Sequence, residues 1–297
     1  MKTSILATFF TALSFVPSIL AQDAAAPVPP KVFETPVEAS DAFIAAAKNG
    51  EQQAILEIFG DKHKALIGTE DPERDKELRS KVAAMAIERR RFRENDENSV
   101  TMVIGAEAWP FPVPIVKTDK GWQFDSDTGI EEIIHRRIGE NELSAIDSLR
   151  GYVAAQREYA AIPRDDSKVR QFAQLLQSSP GKKDGLHWNT AEGETPSPAG
   201  PEIKDDKTPH NGYHFKILTS QGSSAPAGEY DYIINGHLIA GFAMVAWPSE
   251  YGKTGVMTML VNHYGDIYEK DLGPETATLA AAISEYNPDE TWTLSED

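Results

Sequence analysis

The 297-residue chain has no cysteine, which excludes disulfides, thiolate metal sites, thiol nucleophiles and a lipid-anchored export signal. Positive charge is scarce: 29 Lys and Arg stand against 46 Asp and Glu, for a formal net charge of −17. A surface this acidic repels phosphate backbones and anionic lipid, which argues against nucleic acid as a partner. The seven histidines are scattered, with no His-x-x-x-His pair on a helix, and the pattern implies neither metal nor cofactor. There is no Gly-x-Ser-x-Gly elbow, and without one the neighbouring Ser179, Asp184 and His187 do not make a nucleophile set. No catalytic motif is specific enough to name a reaction.

Long apolar runs are also few. The one at the N-terminus, Ile5 to Leu20 behind Lys2 and ending in Ile-Leu-Ala at Ala21, reads as a secretory signal over residues 1–21. It is too short and wrongly flanked for a membrane span, so the mature chain is expected to be soluble in the periplasm or outside the cell. Residues 22–33 are rich in Ala and Pro and read as a linker.

What remains divides into residues 34–138 and 139–297. In the first segment Thr35-Pro36-Val37-Glu38 is a capping box that starts a helix, which stops at Asn49-Gly50. A short helix carries Ile55, Leu56 and Phe59. A third runs from Asp71-Pro72 to about Arg91, with Arg89-Arg90-Arg91 as its solvated end. Strands follow at Ser99–Gly105, Pro112–Thr118 and Trp122–Asp125, and the acids Asp125 and Asp127 read as caps of a helix beginning near Thr128.

That helix extends to Ala160 with a break near Gly139, and Leu143, Ile146, Leu149 and Tyr159 give it an apolar face. A helix over Lys168–Gln177, capped by Ser167, precedes a long loop at residues 189–212. An antiparallel meander comes next, with Asn235-Gly236 as its strongest hairpin signal. Its later strands are Ala240–Trp247, ended by Pro248, then Gly255–Asn262 and Ile267–Lys270, with a closing helix at Pro274–Glu285. The fold class is therefore α+β: an N-terminal helix-plus-sheet domain and a C-terminal long helix packed on a meander.

Three resemblances bear on this outline. "ETPVEASDAFIAAAKNGEQQAILEIF" ahead of strands ending in "GWQFD" resembles the cone-shaped nuclear-transport-factor-two-like fold, which implies a pocket between helices and a curved sheet. The Asp/His pair usual in its enzymes has no counterpart here. "GAEAWPFPVPIV", "NELSAIDSLRGYVAAQREYA", "SSPGKKDGLHW", "AGFAMVAWPSEYGKTGVMTMLVN" and "YEKDLG" resemble the bacterial domain-of-unknown-function family numbered 2950, which implies a secreted or periplasmic protein of unassigned activity. "AIDSLRGYVAAQREYA", "GYHFKILT" and "AWPSEYGKTGVMTMLVNHYGDI" are similar to the globular heads of type IV pilins and pseudopilins. Leu260 stands where those heads usually carry an aromatic. A whole domain also separates the export signal from the helix, so filament assembly by the usual route is not expected.

Aromatics beside turn residues are the candidate ligand-binding groups: Trp109, His187, Trp188, Trp247 and Tyr251. The alternative is that the tryptophans plug the ends of small cores. On the first reading Trp188, Trp247 and Tyr251 form an exposed patch ringed by acids, suited to a glycan or a basic peptide. The turn at Asn262–Asp266 lacks the repeated carboxylates of a calcium loop. Function is then expected to be non-catalytic, with an envelope protein, peptide or glycan bound through the C-terminal head. The alternative is a small-molecule-binding protein or enzyme that uses the N-terminal pocket. An open pocket lined by ionisable groups favours the second, and a pocket filled by side chains the first.

Overall fold

A computed structural model describes residues 27–62, 72–164, 168–190, 193–194, 196–199 and 207–296. The export signal, the beginning of the linker, Asp71, Ser167 and part of the long loop lie outside the described residues.

Thr35 opens helix α1 (Pro36–Asn49): its hydroxyl accepts the Glu38 N–H at 3.1 Å, and the Glu38 carboxylate accepts the Glu34 N–H at 3.1 Å. Gly50 ends the helix at φ 71°. Helices α2 (Gln52–Phe59) and α3 (Pro72–Glu88) follow. The expected third helix is shorter than its sequence pattern, because Arg90 and Arg91 are not its solvated end; they begin strand β1 (Arg90–Asp96). This strand pairs along the apolar β2 (Ser99–Ile104), whose backbone groups would otherwise lack partners on that side. Arg90 also donates to Ser40 at 2.8 Å and Asp41 at 2.6 Å on α1.

Strands β3 (Trp109–Pro110), β4 (Ile115–Thr118) and β5 (Gly121–Phe124) complete an antiparallel sheet in the order β1-β2-β4-β5, with β3 beside β2. The β4 ladder begins at Ile115 and not at Pro112, since Pro112 and Pro114 have no N–H to donate. Phe43, Phe59, Phe111 and Phe124 fill the first core, with Phe43–Phe111 and Phe59–Phe124 centroids 4.9 and 4.8 Å apart.

Asp125 caps helix α4 (Ser126–Ala160): its carboxylate accepts the Thr128 N–H at 3.2 Å and the Thr128 hydroxyl at 2.8 Å. The helix runs through Gly139 without a break, so the boundary expected after residue 138 falls inside it. A single glycine costs a helix only about 1 kcal/mol, and α4 is held on both sides of it. Gly129 lies so close to Val113 that a Cβ would approach its methyl within 2.8 Å, while Ala145, Ile146, Leu149, Tyr152, Val153 and Tyr159 are buried in a second core.

That second core is built on strands β8 (Tyr213–Leu218), β13 (Ala243–Pro248), β14 (Met257–Asn262), β15 (Ile267–Asp271) and β16 (Thr293–Leu294), antiparallel in the order β16-β15-β14-β13-β8. The small strands β6 (Leu175–Gln177), β7 (Gly185–His187), β9 (Ser220–Gln221), β10 (Tyr230–Asp231), β11 (Ile233–Ile234) and β12 (His237–Leu238) form three two-stranded ribbons at its margin. Asn235 and Gly236 both take positive φ, 52° and 83°, as a two-residue hairpin between β11 and β12 requires.

Opposite faces of the large sheet carry different helices. Tyr213 faces Glu142 of α4, while Lys216, of opposite parity on the strand, donates to the Ala281 carbonyl at the end of α5 (Thr276–Ala282) at 2.6 Å. With both faces covered, every residue of β13 is buried. The closing helix is shorter than expected, since Gly273–Glu275 forms a 3-10 turn ahead of α5.

The helix expected over Lys168–Gln177 does not form. Lys168 has φ 60°, Ala173 is hydrogen-bonded to the Gln156 side chain, and Leu175–Gln177 is β6, parallel to β7. The fold class is α+β. No helix among the described residues is long and apolar enough to cross a membrane.

Candidate functional site

A cavity of about 690 Å³ opens beside the first core, between α1, α2, α3, the Trp109–Val113 segment and the first half of α4. Its apolar wall comes from Phe43 of α1, Ile55 and Phe59 of α2, Phe111 and Val113 after β3, and Ile133 of α4. The proline-rich run Trp109-Pro110-Phe111-Pro112 keeps this segment extended: only two residues pair with β2, and Phe111 then turns into the core.

The wall also carries charge. Asp75, Arg79 and Lys81 come from α3, and Arg136, Arg137 and Glu140 from α4. Four basic side chains against two acidic ones line this cavity, in a chain whose net charge is −17. The lining thus carries a basic excess that the chain as a whole does not.

Arg136 is held on several sides. Its Nε donates to Glu132 at 2.8 Å, its Nη1 donates to the Pro110 carbonyl at 2.8 Å, and its guanidinium lies 5.2 Å from the Trp109 ring centroid. Trp109 is thus the one residue singled out from sequence that this cavity contains. Arg136, Phe43, Phe59 and Phe111, which line the cavity with it, were not among the ligand-binding candidates. The only local signals for them were the Arg136-Arg137 doublet beside Ile133 on a helix and the phenylalanine between two prolines.

The other sequence candidates lie in the second half and do not form the expected exposed patch. Trp188 is 4% exposed and Trp247 7% exposed, and both belong to the second core. Trp188 lies between Arg164 and Lys183, at 5.2 and 5.4 Å from its ring centroid. Trp247 stacks on His214 at 5.4 Å, with Lys216 at 6.0 Å. Trp247 is covered because β13 lies between β14 and β8 inside its sheet, a position that the following proline did not reveal.

Tyr251 is part-exposed and donates to Asp271 at 3.1 Å, a bond that raises the pKa of its phenol. His187 is half-buried with Nδ1 3.0 Å from the Ala199 carbonyl, as a donor to that oxygen. Burial acts to raise the Asp184 carboxyl, but hydrogen bonds from Ser179 and from its own N–H, with Lys182 nearby, together hold the group below the usual carboxylate range. Asp184 therefore fixes a turn. In the Asn262–Asp266 turn the Asn262 side-chain Oδ1 accepts the N–H groups of Tyr264, Gly265 and Asp266, each at 3.0 Å, which makes it a turn brace.

A family model described as "Protein of unknown function (DUF2950)" matches residues 30–294. No curated protein and no solved structure matches the chain.

Proposed function

The chain belongs to that family of proteins of unknown function, and from this premise we propose that it is a small-molecule-binding protein of the cell envelope whose site is the cavity beside the first core. The single observation that carries this reading is the cavity itself. At about 690 Å³ it lies in the range of pockets that enclose a small ligand, and it joins an apolar aromatic wall to a few charged groups. The competing reading, a partner bound through aromatics of the C-terminal half, loses its support because Trp188 and Trp247 are buried.

Three helices beside a sheet that leave a pocket between them support the cone-like reading of the N-terminal half as a domain. A long helix laid on an antiparallel sheet supports the pilin-like reading of the C-terminal half. The charged and apolar pattern of residues 1–21 supports export to the periplasm or beyond.

Titrating the mature protein with a fluorophore that brightens in apolar surroundings tests the site. Wild type is expected to bind in a saturable way, and Ile133→Trp, which fills the cavity from α4, is expected to abolish that binding while the chain stays folded. Undiminished binding by folded Ile133→Trp would put the site elsewhere.

A further inference from the structure

A guanidinium carries five N–H groups in a flat fork. In Arg136 the Nε edge is held by Glu132, one turn earlier on α4, and an Nη1 hydrogen is held by the Pro110 carbonyl across the cavity mouth. The Trp109 ring lies against the group and limits its tilt. The Nη2 end has no hydrogen-bond partner among the described residues, and Arg136 lines the cavity. An arginine so fixed has already lost the side-chain freedom that ion pairing normally removes, so an added hydrogen bond comes at lower entropic cost.

Resting on the small-molecule reading above, we infer that this cavity takes an amphipathic anion, a carboxylate on an apolar body, with Arg136 as the group that receives the carboxylate. The apolar wall of Phe43, Ile55, Phe59 and Phe111 suits an unbranched or aromatic body, and the fork suits a planar, two-oxygen head. Glu132 offsets part of the Arg136 charge from the far side of the fork, so selection for the anion rests on geometry and on the basic excess of Arg79, Lys81 and Arg137 over Asp75 and Glu140. A cationic head would meet that excess at close range, and a neutral head would gain only the apolar wall. The overall acidity of the chain slows arrival of an anion without removing the local preference, because surface charges more than about 10 Å away are screened at ordinary ionic strength.

The test is competition for the fluorophore site by decanoate, decan-1-ol and decylamine, three probes with one chain length and different heads, at neutral pH. Decanoate is expected to displace the dye at a concentration about tenfold or more below decan-1-ol, with decylamine weakest. In Arg136→Met the acid is expected to lose its margin over the alcohol, while the alcohol itself shifts by no more than about twofold. Equal displacement by acid and alcohol in wild type overturns the inference but leaves the small-molecule reading standing, as does preference for the amine. So does an acid margin that persists in Arg136→Met. Displacement by none of the three overturns the inference, whereas the absence of saturable dye binding defeats both. Because Arg136 ties α4 to Pro110, the variant is melted alongside wild type; if it does not fold, the wild-type series decides the matter alone.

Discussion

Gln156 closes a ring of two hydrogen bonds with Ala173. Its Oε1 accepts the Ala173 N–H at 2.7 Å and its Nε2 donates to the Ala173 carbonyl at 2.9 Å, so the side-chain amide replaces the strand neighbour that this segment lacks. The same Nε2 reaches the Tyr152 hydroxyl at 3.0 Å, and Tyr152 in turn donates to the Ala243 carbonyl on β13 at 3.2 Å. Gln156 is 0% exposed.

Replacing it with leucine keeps volume but strands a buried N–H and a buried carbonyl. Gln156→Leu is expected to lose about 2–4 kcal/mol of stability, read from urea melts of wild type and variant. A loss under about 1 kcal/mol would mean that water replaces the amide.

Glu142 does related work at the other end of the sheet, where its carboxylate accepts the N–H groups of Val256 at 2.8 Å and Met257 at 3.0 Å. Glu142→Ala should cost about 1–2 kcal/mol and speed amide exchange at both positions. Glu142→Gln retains an acceptor and should cost less; equal losses in the two variants would show that only the charge matters.

Trp188 and Trp247 offer a direct contrast with a surface role. Truncation of either to alanine should cost about 3–5 kcal/mol in a denaturant melt. The buried Trp188 Nε1 has no hydrogen-bond partner among the described residues, so Trp188→Phe gives up no such bond there and should retain most of the stability. A Trp188→Ala variant as stable as wild type would restore the exposed-patch reading.

His263 makes stability depend on pH. Burial among Tyr232, Phe242 and Tyr264, then the nearby Arg157, lower its pKa from the ordinary 6.5, and Asp266 only partly opposes them. The folded state therefore binds fewer protons than the unfolded chain below pH 6.5. Its contribution is complete above that value and is lost as pH falls through the lowered folded value. Melting temperature should drop between neutral pH and pH about 5, and His263→Phe should flatten that part of the profile. An unchanged slope in the variant would assign it to other groups.

Sequence pattern served well where local chemistry decides the outcome. The Thr35 capping box, the Asn235-Gly236 hairpin and the apolar face of α4, save for Leu143, which is exposed, each draw on neighbours within a few residues. It misled where a distant partner overrides local preference. Phe172, Ala173 and Leu176 have helical spacing, yet Gln156 and β7 take that backbone for other pairings. Arg90 and Arg91 read as a charged helix end, because an edge strand beside a buried one keeps a polar sequence. The cavity lay furthest from view, since Phe43, Phe59, Arg79, Phe111 and Arg136 come from separate parts of the chain and meet only in the folded molecule.

Unbroken passage of α4 through Gly139 makes the phase of that helix a shared property of both halves. Each residue turns the helix by about 100°, so the azimuth of Arg136 is locked to that of Glu142 and, further along, to Tyr152 and Gln156. Gly139 itself touches nothing a Cβ would meet within 4 Å, and Gly139→Ala should raise stability by about 0.5–1 kcal/mol. Inserting or deleting one residue at the same spot would instead swing the fork away from the cavity or the Gln156 amide away from Ala173. The stretch between Arg137 and Asn141 is thus free in side-chain identity at Gly139 and fixed in length, so that a frame-preserving gain or loss of a single codon there should be far more damaging than any substitution of Gly139 by a helix-forming residue.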